Sequence, residues 1–70
     1  MLKPIKTFYT DGGVPTFSDW LRAIEIAKVE RCVVELRWCP HIMAGWYHEY
    51  VFEDSDPTLL DAKTPKVYGI

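Results

Sequence analysis

Cys39, His41 and His48 are the residues whose types and spacing come nearest to chemistry in this chain. Cys39-x-His41 sets a thiol and an imidazole on one loop, His48 follows on the returning segment, and Cys32 precedes them. Zinc favours these ligand types, but zinc sites are usually built from paired ligands such as C-x2-C and H-x3-H, and the sequence has neither pair. As nucleophile and base, Cys39 and a histidine need a third group to orient the base and an oxyanion hole in a concave site. A domain this small has little volume for such a pocket. Reduced, buried cysteines and ordinary histidines are the commoner roles. A small-molecule or metal-binding domain using Cys39, His41 and His48 is therefore the alternative reading, and no metal, cofactor or catalytic residue is assigned.

The remaining motifs fail at particular positions. His48-Glu49 opens like H-E-x-x-H, but Phe52 stands where the second histidine belongs. The cluster Glu53-Asp54-x-Asp56 lacks the glycine and closing glutamate of a calcium loop. Gly12-Gly13 has neither the lysine and hydroxyl of a phosphate loop nor a dinucleotide-binding spacing, and it reads as a turn. Cys32 and Cys39 stand at opposite ends of one expected strand. Their seven steps of ~3.3 Å put them far beyond disulfide reach.

Composition narrows the class of function. The 70 residues are 49% hydrophobic and 14% aromatic, which excludes disorder by composition and predicts one domain spanning residues 1–70. A chain this short is only marginally stable alone, so large aromatics and self-association are the expected compensations. The formal charge is −2 and the basic residues are scattered, so nucleic acid is not an expected partner. No apolar run is long enough to span a membrane. Met1-Leu2-Lys3-Pro4 lacks the features of a signal peptide, and the cysteine usage suits a reducing compartment, so the expected location is cytoplasmic.

The elements that would position these residues follow from periodicity. Pro4 to Thr10 reads as an edge strand, followed by a turn at Asp11-Gly12-Gly13. Pro15-Thr16-Phe17-Ser18-Asp19 is the strongest local signal, with Thr16 and Asp19 spaced as a capping box for a helix from Phe17 to about Glu30. Phe17, Trp20, Leu21, Ala23, Ile24 and Ala27 form its apolar stripe. Ile26 and Val29 fall among its polar residues; they read either as tolerated surface hydrophobes or as the expected interface of a homodimer, to which an edge strand such as Ile5–Thr10 adds pairing across the two-fold. Cys32–Trp38 reads as a strand with Val34, Leu36 and Trp38 on the helix side. Trp46–Glu53 is its expected partner, with Trp46, His48, Tyr50 and Phe52 placed inward because that set carries no acidic residue. Asp56-Pro57 starts a short helical turn, and Lys66–Ile70 completes the chain as a strand or tail. The fold class is α+β: a small antiparallel sheet, in the order β-α-β-β with a helical turn and a C-terminal strand, packed on one helix.

The loop between the last two strands is apolar where loops are normally polar. Pro40, His41, Ile42 and Met43 lie there, flanked by Trp38, Trp46 and Tyr47, and aromatic residues and Met recur at protein contact sites. The competing role is a plug over the end of the core. The expected function is a non-enzymatic protein–protein interaction module whose partner contacts Trp38, Pro40, His41, Ile42, Met43, Trp46 and Tyr47, with Arg37 and Glu49 as a polar rim. Small acidic chains of this size are frequent among phage and mobile-element accessory proteins, and an inhibitor of a host protein is one specific form of this expectation. The analogy rests on size and charge alone.

Overall fold

Helix α1 (Phe17–Glu30) organises the molecule, and its ends are the ones the sequence predicts. The Thr16 hydroxyl accepts from the Asp19 N–H at 3.3 Å, and the Asp19 carboxylate accepts from the Thr16 N–H at 2.8 Å. Arg31 ends the helix in the left-handed conformation, at φ 52°. There the Cys32 N–H reaches back to the Ala27 carbonyl. The computed structural model describes residues 2–10, 13–39 and 45–64, and the chain orders as β1 (Ile5–Tyr9), α1, β2 (Val33–Trp38), β3 (Tyr47–Val51) and α2 (Pro57–Lys63). The expected strand at Lys66–Ile70 lies outside the described residues.

The α+β class and the β-α-β-β order are as expected, and the sheet is mixed. Its order is β1-β2-β3, with β2 antiparallel to β3 and parallel to β1. The parallel pair follows from connectivity. A helix between β1 and β2 carries the chain back along the sheet, so both strands run the same way. Thus the antiparallel arrangement holds for the hairpin and not for β1.

Trp20, Ala23, Ile24 and Ala27 of α1 pack on Val34, Leu36 and Trp38 of β2, Val51 of β3 and Leu60 of α2. Trp20 is completely buried, and its ring meets that of Trp38 edge-on at a centroid distance of 5.8 Å. The expected stripe is wider than the buried one. Leu21 and Phe17 are 47% and 44% exposed, because a narrow sheet covers only an arc of about 100° on the helix. Ile26 is half-buried against the core and Val29 is exposed.

The inward face of β3 is the reverse of the one expected. Val34 pairs with Val51 and Trp38 with Tyr47, so the inward residues of β2 carry Tyr47, Glu49 and Val51 inward with them. Val51 is fully buried, whereas Phe52 is 48% exposed and Trp46, His48 and Tyr50 are also exposed. The acidic Glu49 is tolerated on that side because β3 is an edge among the described residues. Lys63 of α2 reaches its carboxylate at 3.2 Å. Among the described residues no helix is long and apolar enough to cross a membrane.

Candidate functional site

Among the described residues, one face of the sheet carries a helix and the other does not. Register places Ile5, Thr7 and Tyr9 of β1, Val33, Glu35 and Arg37 of β2, and His48 and Tyr50 of β3 together on the other face. Alternation adds Trp46 and Phe52 at its two ends. On this face Thr7, Glu35, Arg37 and His48 form one connected polar group.

At its centre is Glu35, a carboxylate 5% exposed in the middle of the middle strand. A buried charge is costly unless paired and hydrogen-bonded. Here each oxygen is used. Thr7, directly across on β1, donates its hydroxyl at 2.8 Å. On the second oxygen, Arg37 Nε lies at 3.1 Å and His48 Nδ1 at 3.0 Å. The Thr7 hydrogen bond is the largest influence holding the Glu35 carboxyl below its ordinary range, against the opposing effect of burial, with Arg37 and His48 assisting. The Arg37 guanidinium is correspondingly raised, first by its hydrogen bond to Glu35.

An ionised carboxylate only accepts hydrogen bonds, so His48 must carry a proton on Nδ1. Glu35 thereby fixes the imidazole's orientation and leaves Nε2 for contacts from solvent. Aromatic rings frame the polar centre. Tyr9 and Trp46 meet edge-on at 5.6 Å, and His48 and Tyr50 do so at 5.4 Å. Arg37 lies between Tyr9 and His48 in the strand register, and it joins Trp46, Tyr47 and His48 in lining a shallow groove of about 120 Å³. The outward surface is therefore a guanidinium and an oriented imidazole, set in exposed aromatic rings on a rigid sheet.

The sequence-based site maps onto this surface in part. Trp46 is on it, 63% exposed. Tyr47 is half-buried on the opposite, core-facing side, with its ring 6.0 Å from Trp38. Trp38 itself is buried, so its contribution is to the core and not to a contact surface. Pro40, His41, Ile42 and Met43 lie outside the described residues, as does the apolar loop they form. Arg37 is on the outward face as expected, while Glu49 belongs to the α2 side. Of the alternative ligand set, Cys39 follows β2, His48 is bound to Glu35, and His41 is outside the described residues. Among the described residues no three His, Cys, Asp or Glu side chains are grouped to hold a metal. Thr7, Tyr9 and Glu35 are the site residues sequence reasoning misses. The available signal is Glu35 itself, an acidic residue in the centre of an otherwise apolar strand.

Comparison with protein-family models, curated proteins and solved structures finds no match to this chain.

Proposed function

We propose that the protein is a non-catalytic protein-binding module whose contact surface is the uncovered sheet face around Tyr9, Arg37, Trp46 and His48. The observation that carries this reading is the composition of that face. It presents Trp, Tyr and Arg, the residue types that dominate binding energy at interfaces, on strands whose ordering entropy is lost in folding rather than in binding. Glu35 is spent internally. The half-exposed Arg37 and His48 are left to meet the partner, so the partner surface carries an acidic side chain opposite them, among apolar groups. A catalytic role fits less well, because the groove beside His48 is shallow and, at about 120 Å³, small for a substrate pocket. A cytoplasmic setting belongs to the same reading, and the buried Cys32 thiol suits a reducing compartment. Inhibition of a host protein remains one form such binding would take.

Selection from a displayed library of short random peptides tests the reading. Enriched sequences should pair an acidic residue with aromatic or aliphatic ones. Their binding should fall at least about tenfold with Trp46→Ala and with Arg37→Gln, and persist with Leu21→Ala on the helix. Enrichment that ignores both sheet substitutions would place binding elsewhere.

A further inference from the structure

The two edges of the sheet are treated differently. In β3, Tyr47, Glu49 and Val51 face β2 in the ladder, so His48, Tyr50 and Phe52 turn their backbone groups outward. Side chains occupy two of those donors: the Glu49 carboxylate accepts the Tyr50 N–H at 3.2 Å, and Ser55 Oγ accepts the Phe52 N–H at 2.8 Å. Blunting of this kind is how proteins protect a strand edge. Among the described residues β1 has no such protection. The Val33 N–H donates to the Pro4 carbonyl and the Thr10 N–H to the Arg37 carbonyl, which sets the alternation along the strand. Lys6 and Phe8 also face β2, and the N–H and C=O groups of Ile5, Thr7 and Tyr9 point away from it. No described residue pairs with them. The strand contains no proline or bulge, its side chains are exposed, and α1 lies over β2 and β3 instead.

We propose that β1 pairs antiparallel with β1 of a second copy about a two-fold axis at Thr7, joining the two sheets into one. The occupant is a second copy because the strand is complementary to itself in this register. Thr7 faces Thr7, and Ile5 faces the second copy's Tyr9, a favourable aliphatic–aromatic pair. Each outward N–H meets an outward C=O across the axis, since Ile5, Thr7 and Tyr9 fall at hydrogen-bonded positions. Lys6, the only charge on the strand, faces the second copy's Phe8 and not another lysine. Its ammonium is already paired with Glu30. On the helix side, Phe8 and Ile26 line a groove of about 230 Å³ beside the strand. The second copy's strand would cover its open side. Ile26 then contributes to the dimer, while Val29 stays on the solvent side of α1.

Amide exchange resolved by residue, with the mass measured by light scattering from micromolar to millimolar concentration, tests this pairing on the unmodified protein. Lys6, Phe8 and Thr10 amides should be protected at every concentration. Ile5, Thr7 and Tyr9 amides should gain at least about tenfold protection as the mass doubles. Thr7→Pro removes an outward N–H while leaving the ladder to β2 intact, and should weaken dimerisation at least about tenfold. Thr7→Val loses the hydroxyl but keeps the N–H, and should remain dimeric. A monomer mass throughout, or a dimer in which these three amides stay unprotected, would overturn the proposal.

Discussion

Replacing Trp20 by alanine should remove about half or more of the stability of this domain. The side chain is wholly buried between α1 and the sheet, against Trp38. A buried tryptophan hides roughly 150–250 Å². At about 25 cal/mol per Å² that is ~4–6 kcal/mol, and allowing for a compact unfolded chain trims it to ~3–5 kcal/mol. The edge-on pairing with Trp38 adds ~0.5–1.5 kcal/mol. Alanine keeps a little of the burial, so a loss of ~3–5 kcal/mol is expected, in line with large-to-small changes in other cores. A 70-residue domain has about 4–10 kcal/mol in total. Urea unfolding followed by far-ultraviolet circular dichroism measures the loss. Trp20→Phe keeps a ring in the site and should cost only ~1–2 kcal/mol, which keeps the comparison measurable if the alanine variant is unfolded. Leu21→Ala, one residue along but exposed, should cost under ~1 kcal/mol. A loss below ~1 kcal/mol for Trp20→Ala, or an equal loss for Leu21→Ala, would refute the placement of the helix on the sheet.

The face of β3 can be checked in the same way: Val51→Ala should cost about 2–3 kcal/mol in urea melts, against under ~1 kcal/mol for the larger but half-exposed Phe52 truncated to alanine. Arg31→Gly should raise stability by about 0.5–1 kcal/mol in the same melts, because glycine adopts the left-handed conformation without the cost a Cβ imposes. Glu35 has a carboxyl lowered by folding, so its contribution is present above roughly pH 4.3, the unfolded value, and fades as pH falls through the lower folded value. The difference between urea midpoints at pH 7 and pH 3 should therefore shrink in Glu35→Gln, and an unchanged difference would show that Glu35 is not linked to folding.

Local signals in the sequence determined the elements. Thr16 and Asp19 mark the start of α1 through hydrogen bonds that span three residues, and Asp56-Pro57 marks α2 in the same way, with the Asp56 carboxylate accepting from the Thr58 N–H at 2.9 Å. The alternation of Val34, Leu36 and Trp38 against Glu35 and Arg37 likewise settles the faces of β2, since one set is apolar and the other charged. β3 offers no such contrast. Each of its faces mixes aromatic and polar residues, so the absence of an acidic residue pointed to the wrong side. The tertiary structure decided it through pairing with β2 and through Lys63, which reaches Glu49 from a helix that periodicity alone does not place. The candidate site is a product of the same long-range register. Thr7, Glu35, Arg37 and His48 lie on three different strands, and nothing in their local sequence shows that they share one carboxylate. Five residues of β1 carry too little pattern to announce a parallel partner. The helix between them and β2 supplies that direction, because a chain that crosses one face of a sheet returns to it running the same way.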